Sequence, residues 1–299
     1  MIREKNLANV IVDLVIMAVL ALIALSCLLP FLHVIAVSLS ERGAVAADRV
    51  GFIPIGFTID NYAFILRNNQ FFNSLWISIL RVAVGVTTTL VIVFLTAYPL
   101  ALDNIRMPGR LSFKVFMLVG FLFSGGLIPT FITYGTLGLI NNFWVLILPS
   151  AINVFFIIIM MNFLRGIPHE LAEAAWLDGA SHLQVIRRVY LPISRPALAT
   201  IGLFSAVGHW NSWFDGVVYL QQAKDWPLQS WLYSLVTTRQ IQWQSAGTSA
   251  SDIASNFQNA TPDGLAAALI VVAALPIMMV YPFMQRYFVT GLTLGSVKS

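Results

Sequence analysis

Long apolar segments separated by polar ones run through the whole chain. A helix that crosses a bilayer needs about 20 mostly apolar residues. Six segments meet this requirement, and each is predicted to form a transmembrane helix: 14–37, 75–102, 113–131, 143–163, 197–220 and 265–283. Strands of a membrane barrel would alternate between apolar and polar residues instead. The pattern therefore predicts an all-α membrane protein, one domain over residues 1–299 that bundles six helices.

The first apolar segment also has features of a signal peptide. Arg3 and Lys5 precede it, and Ala44-Val45-Ala46 resembles a cleavage site. Its 24 residues, however, exceed the apolar core of a signal peptide, which has about 7–15. We therefore expect the segment to remain in the protein as a membrane anchor.

The composition excludes several classes of protein. Only 10% of the residues are charged and 58% are apolar, whereas about a quarter of a soluble domain is charged. Such a chain cannot cover its surface with charge, so a cytosolic enzyme and a nucleic-acid-binding protein are excluded. The single Cys27 excludes a disulfide framework and a thiolate metal cluster.

The basic residues indicate the orientation, because cytoplasmic loops carry an excess of Lys and Arg. With the N-terminus in the cytoplasm, 11 of the 17 basic residues lie inside: Arg3, Lys5, Arg106, Arg110, Lys114, Arg165, Arg187, Arg188, Arg195, Arg286 and Lys298. Six spans return the C-terminus to the same side. The segments 39–72 and 221–262 then lie outside, and 164–196 is a long cytoplasmic loop.

The cytoplasmic loop is predicted to contain two short helices joined by a tight turn. Pro168 suits the first turn of a helix, and Asp178-Gly179 ends it because glycine adopts a left-handed conformation cheaply. Ser181 and Gln184 have the spacing of a capping box for the second helix. The positions expected to face inward are Ile167, Leu171, Ala174 and Ala175 in the first helix and Val185, Ile186 and Val189 in the second. From these features alone, an amphipathic loop lying on its own bundle or on the lipid surface is an equal alternative to a partner-binding loop.

The spacing of several residues in this loop resembles the EAA loop of ABC-importer permeases. Glu173-Ala174-Ala175 is followed by Gly179 and then by Val189-Tyr190-Leu191-Pro192, with Val189 where the family usually has Ile. The resemblance implies a type I permease fold with a coupling helix seated on a cytoplasmic ATPase: Glu173, Ala174, Ala175, Asp178, Gly179, Ala180 and Ser181. It also implies a second homologous permease, two ATPase subunits that hold the ATP and Mg, and an external solute-binding protein that docks on 221–262.

Other segments resemble a particular branch of that family. Asp60-Asn61-Tyr62, Asn73-Ser74-Leu75 and the tail 285–293 are similar to maltose-type sugar permeases. The segments 123–129 and 209–215 look more like the subgroup for uronate-containing oligosaccharides such as alginate and pectin fragments. The resemblance implies import of oligosaccharides across the inner membrane by alternating access. A neutral sugar or another small polar solute is the alternative substrate.

Polar and aromatic side chains in the fifth apolar segment are the candidates for the substrate path. Polar groups at membrane depth face protein or a water-filled path, and aromatic and amide groups suit a sugar. The candidates are His209, Trp210, Asn211, Trp213 and Asp215. The alternative is an aromatic belt with hydrogen bonds between helices. Arg81, close to the outer end of its helix, is expected to extend toward the membrane surface rather than to contact an acidic sugar.

The sequence offers nothing typical of catalysis. The four His residues are scattered between the two membrane faces, and no phosphate-binding loop of the G-x-x-x-x-G-K-[ST] type occurs. The chain is therefore predicted to be a transport subunit with no cofactor of its own and not an enzyme. A secondary transporter would need ionisable groups at mid-membrane, and these segments offer few. Gly125-Gly126 before Pro129 predicts a break in the third segment.

Overall fold

A computed structural model describes the backbone of residues 7–102, 107–244 and 261–296, and most side chains within them. The regular elements of these residues are helices, as predicted. In chain order the α-helices are α1 (Leu7–Ser38), α2 (Arg42–Ala46), α3 (Asp60–Arg67), α4 (Asn69–Ala101), α5 (Arg110–Leu122), α6 (Leu127–Thr136), α7 (Leu148–Ala151), α8 (Val154–Arg165), α9 (Glu170–Leu177), α10 (His182–Val185), α11 (Leu191–Ile193), α12 (Arg195–Asn211), α13 (Phe214–Tyr219), α14 (Leu228–Gln244) and α15 (Pro262–Ser296). Two 3₁₀ helices cover Phe143–Leu146 and Ala223–Asp225, and a π-helix covers Ile186–Tyr190.

Three long helices and three bent helix pairs are apolar enough to cross a membrane. The long helices α1, α4 and α15 contain the predicted segments 14–37, most of 75–102, and 265–283. The bent pairs are Arg110–Leu122 with Leu127–Thr136, Phe143–Ala151 with Val154–Arg165, and His182–Ile193 with Arg195–Asn211. Length and composition therefore allow up to six spans if each bent pair is one span. The assignment of six spans itself stays a prediction.

The third apolar segment is two helices and not one. A bend of 119° separates α5 from α6, at the position where the glycines predict a break. Gly126 has a φ of 81°, a left-handed conformation that other residues rarely adopt. Pro129 then lies in the first turn of α6, where a missing N–H costs nothing.

The prediction of a single helix over 197–220 is wrong. The helix α12 ends at Asn211, and the short α13 begins at Phe214. The break follows from a tertiary contact, because the Ser212 carbonyl accepts a hydrogen bond of 3.0 Å from the Arg81 guanidinium. The fourth segment is also bent, by 45° between α7 and α8, where Asn153 caps α8 by accepting from the Phe156 N–H at 3.2 Å.

The chain divides into two compact units, Met1–Asn69 with Ser234–Leu275 and Gln70–Tyr233 with Pro276–Ser299. In the first unit the Asp60-Asn61-Tyr62 motif is bonded to the end of α1. Asn61 donates to the Ser38 carbonyl at 3.0 Å, and the Tyr62 and Ser38 hydroxyls lie 2.8 Å apart. This motif therefore has a structural role in fixing the segment that follows α1.

The core of the second unit joins the C-terminal part of α4 to the loop 164–196. Leu100 and Leu102, Ile157 and Leu164 of α8, and Ala172 of α9 are buried in one hydrophobic cluster. Tyr190 and Ile201 belong to the same cluster. The loop that carries the EAA residues is thus packed on the membrane helices and does not project freely.

Candidate functional site

The first helix of the loop 164–196 ends in a Schellman motif. Glu173, Ala174 and Ala175 lie in α9, Asp178 is its C-cap, and Gly179 follows with a φ of 81°. The Gly179 N–H donates to the Trp176 carbonyl and the Ala180 N–H to the Ala175 carbonyl, both at 2.9 Å. These two bonds define the motif, so the predicted glycine turn is confirmed.

The second part of the loop begins as predicted and then changes its winding. Ser181 and Gln184 form a capping box in which each side chain accepts from the other residue's N–H. After one turn of α10 the backbone becomes a π-helix over Ile186–Tyr190, an element that often occurs at functional sites. The expected inward residues Val185, Ile186 and Val189 are buried or half-buried.

The prediction for the inward face of α9 is partly wrong. Ile167 is buried and Ala175 is half-buried, but Leu171 and Ala174 are exposed. The buried residue is Ala172. Ala172, and not Leu171, therefore faces the hydrophobic cluster.

The exposed surface of the loop suits a protein partner. Glu173, Ala174, Asp178, Gly179 and Ser181 are exposed, and Ala180 is half-buried. Nearby, Leu177 is 89% exposed and Leu183 is 73% exposed. Two large apolar side chains are therefore accessible beside the Schellman motif.

Arg81 lies in a buried ion pair, which contradicts the prediction that it extends toward the membrane surface. Its side chain is only 1% exposed and contacts the Asp215 carboxylate of α13. Ser212 completes the arrangement by donating from Oγ to the same carboxylate at 2.9 Å. The Arg81 guanidinium fixes the break between α12 and α13, because it is hydrogen-bonded to both Ser212 and Asp215.

His209 packs tightly on a glycine of α4. A Cβ atom added to Gly85 would lie 2.5 Å from the His209 Nε2 atom, and the His209 side chain is buried. The absence of a side chain at position 85 therefore allows α4 and α12 to approach each other here.

We expect Gly85→Ala to lower the thermal stability, because the new methyl group would overlap the imidazole ring. Overpacking of this kind costs about 1–3 kcal/mol. Gly120→Ala is the matched control, since a Cβ atom there meets nothing within 4 Å and alanine favours a helix. Thermal unfolding in lipid nanodiscs measures both. A Gly85→Ala protein as stable as Gly120→Ala would contradict the close approach.

The other substrate-path candidates do not converge on one point. Trp210 lines an apolar cavity of about 100 Å³ with residues that include Val82, Leu203 and Pro276. Asn211 is exposed. Trp213 is partly exposed and stacks on Tyr233, with ring centroids 3.9 Å apart and an angle of 17° between the planes.

Tertiary contacts position this aromatic stack. The Ser230 hydroxyl donates to the Trp213 carbonyl at 2.8 Å. A Cβ atom at Gly216 would lie 2.2 Å from that hydroxyl oxygen, so only glycine fits. Tyr233, Gly85 and Gly216 were missed by the sequence reasoning, because no local pattern connects them to the distant residues that they contact. The bond between Ser212 and Arg81 was missed for the same reason. Among the described residues no group of three or more His, Cys, Asp or Glu could hold a metal ion.

Comparison with known proteins decides the family. The sequence profile of the family described as "Binding-protein-dependent transport system inner membrane component" matches residues 63–293. The chain belongs to this family of permeases. The permease is 38% identical over 97% of its length to the polygalacturonan/rhamnogalacturonan transport system permease protein YtcP of Bacillus subtilis, of which it covers 99%. It is 40% identical over 91% of its length to the protein LplC of the same organism, of which it covers 89%.

A solved structure is similar over nearly the whole permease. A chain of a bacterial ABC transporter involved in the import of the acidic polysaccharide alginate matches with a TM-score of 0.85 and 30% identity, over 95% of this chain and 99% of the other. These matches confirm three predictions: the all-α type I permease fold, the role as a permease subunit of an ABC importer of the inner membrane, and the classification as a transport subunit and not an enzyme.

Proposed function

We propose that this permease imports oligosaccharides that contain uronic acids. The observation that carries the proposal is the 38% identity, over 97% of the chain, with a permease named for polygalacturonan and rhamnogalacturonan. The similar solved transporter is named for alginate, an acidic polysaccharide. Neutral sugars are the second candidate, because a trehalose permease of Mycobacterium tuberculosis is 30% identical over 91% of the chain.

The substrate proposal is tested with the reconstituted importer. ATP hydrolysis is measured in nanodiscs with the cognate binding protein, loaded in turn with oligogalacturonides, oligomers of alginate, or neutral oligosaccharides of equal length. Stimulation by the acidic oligomers alone is expected. Equal or greater stimulation by the neutral oligomers would contradict the uronate proposal and would instead indicate a permease for sugars in general.

The complete importer would contain a second, homologous permease, two ATPase subunits and an external solute-binding protein. Six spans would form only half of a translocation path in this class of transporter, so a second permease would complete it. The surplus of basic residues in the loops 103–113 and 164–196 supports cytoplasmic N- and C-termini. The binding protein would dock on the outer loop 221–262, of which residues 245–260 lie outside the described residues.

The exposed residues around the Schellman motif would couple this permease to its ATPase. Ala174 leaves no bulk that would keep a partner away, and Leu177 and Leu183 supply apolar contact area. Closure of the two ATPases would displace the loop, and the displacement would reach the membrane helices through Ala172 and Tyr190, which pack in the core.

The sugar path would pass the exposed residues at the end of α12 and directly after it. Asn211 supplies an amide for hydroxyl groups, and the Trp213 and Tyr233 stack supplies an aromatic surface for the face of a sugar ring. Asp215 is engaged by Arg81, and His209 is packed on Gly85, so these two residues would shape the path rather than contact the sugar.

We expect Trp213→Ala to raise the substrate concentration at half-maximal uptake about three- to tenfold, because one aromatic contact is lost. Trp213→Tyr keeps an aromatic ring, so its half-maximal substrate concentration should stay close to that of the wild type. Trp76→Ala is the control, since this indole is 62% exposed near the start of α4. Asn211→Ala should act in the same direction as Trp213→Ala. Wild-type uptake in both Asn211→Ala and Trp213→Ala would leave only the aromatic-belt interpretation.

A further inference from the structure

Three hydroxyl groups are buried without a hydrogen-bond partner where the cytoplasmic loop meets α4. They belong to Tyr98 of α4, Tyr190 at the end of the π-helix and Ser194 at the start of α12. The three residues are 5%, 0% and 0% exposed. Neither phenol oxygen has a partner among the described residues, and neither does the serine Oγ. Buried polar groups nearly always have a partner, so three exceptions at one place call for an explanation.

The three residues form one structural joint. The rings of Tyr98 and Tyr190 meet edge to face, with centroids 5.3 Å apart and planes at 76°. Ser194 follows Tyr190 by one helical turn, and its N–H donates to the Tyr190 carbonyl at 2.9 Å. Side chains four residues apart lie on the same side of a helix.

The backbone at this joint has the features of a hinge. The π-helix Ile186–Tyr190 ends at the joint, and the axes before and after Ser194 differ by 75°. Pro99 follows Tyr98 directly inside α4, and Pro192 lies between Tyr190 and Ser194. Sharp changes of helix direction occur at prolines and π-bulges, where the regular bond ladder is interrupted.

An unpartnered buried hydroxyl raises the free energy of the conformation that contains it. A protein with two working conformations can satisfy the same hydroxyl in the other one, and the residue then sets the balance between the two states. Tyr98 and Tyr190 are well placed for this role, because they connect α4 to the loop that carries Gly179 and the other EAA residues.

We propose that Tyr98 and Tyr190 are positioning residues of a two-state joint, whose hydroxyl groups find hydrogen-bond partners in the other conformation of the transport cycle. The proposal rests on the coupling role proposed for the cytoplasmic loop. In the conformation described here the aromatic rings pack and the hydroxyls are unsatisfied. Movement of the loop against α4 exchanges this arrangement for a hydrogen-bonded one.

The test uses Tyr98→Phe and Tyr190→Phe in the complete importer, reconstituted in nanodiscs and liposomes. Each variant removes a hydroxyl that makes no bond in the present conformation, so thermal stability should be unchanged or slightly higher. The other conformation loses a hydrogen bond, which shifts the equilibrium about three- to tenfold toward the present one. The number of substrate molecules transported per ATP hydrolysed, and a distance between spin labels on the loop and on α4, should both change. Ser194→Ala should act in the same direction.

Tyr62→Phe is the matched control, because the Tyr62 hydroxyl does have a partner, the Ser38 hydroxyl, at 2.8 Å. It should lower the melting temperature and leave transport per ATP unchanged. If Tyr98→Phe and Tyr190→Phe behave in the same way as this control, their hydroxyls are ordinary structural groups and the joint is overturned. If both behave as wild type while Gly179→Val uncouples transport, the joint is also overturned but the coupling loop stands. Normal coupling in Gly179→Val would instead overturn the proposed coupling role itself.

Discussion

Gly179→Val is expected to abolish coupled transport while the protein still folds. Gly179 has a φ of 81° at the C′ position of a Schellman motif, and a β-branched residue there is strained by about 1–2 kcal/mol or more. The turn relieves this strain by opening, which displaces Ala180 and Ser181 from the surface proposed to contact the ATPase. Uptake should fall at least about tenfold, and ATP hydrolysis should lose its dependence on the loaded binding protein.

Gly138→Val is a close control, because Gly138 occupies the same motif at the end of α6. Its φ is 68°, and it donates to the Gly135 carbonyl at 3.1 Å while Leu139 donates to the Tyr134 carbonyl at 2.9 Å. A Cβ atom meets nothing within 4 Å at either glycine. Both variants therefore carry the same backbone strain, and the melting temperatures should fall by similar amounts. Equal loss of transport in the two variants would attribute the effect to general instability and not to the coupling loop.

Asp215→Ala is expected to destabilise the permease by about 3 kcal/mol or more. It leaves the Arg81 guanidinium buried without its counter-ion, and removing one partner of a buried ion pair costs about 3–5 kcal/mol. The lower end applies here because Asp215 is 30% exposed, whereas Arg81 is 1% exposed. Thermal unfolding in nanodiscs measures the difference.

The double variant Arg81→Met with Asp215→Ala separates charge from packing. It removes both charges together, so most of the stability lost in Asp215→Ala should return. Arg81→Met alone should lower the free energy of unfolding less than Asp215→Ala does. The Asp215 carboxylate would still contact solvent and accept the 2.9 Å hydrogen bond from Ser212. A stable Asp215→Ala protein would mean that Arg81 extends to the membrane surface after all. If the double variant folds but loses uptake of acidic oligosaccharides only, the pair has a role in the substrate path as well.

The turn and the cap in the loop 164–196 could be predicted from the sequence, because each depends on residues only a few positions apart. Position 179 has a left-handed backbone conformation, and glycine is the residue type that adopts it at the lowest cost. Ser181 and Gln184 cap a helix through hydrogen bonds between residues three positions apart. The break before α6 follows equally from Gly126 and Pro129. The inward face of α9 was predicted less well, since periodicity alone favours Leu171 over Ala172 and only the shape of the core decides between them.

The sequence by itself determined the membrane class, the helical fold and the helix–turn–helix of residues 164–196, because continuous apolar length and short-range spacing control these properties. Only the tertiary structure decided the partners of the few polar groups within the apolar segments. Arg81 pairs with Asp215, and His209 fits against Gly85, across separations of more than one hundred residues. The ring contact between Tyr98 and Tyr190 is likewise a tertiary feature, because it depends on how α4 packs on the loop. A buried polar side chain takes whatever partner the packing supplies, and no pattern along the chain encodes that choice.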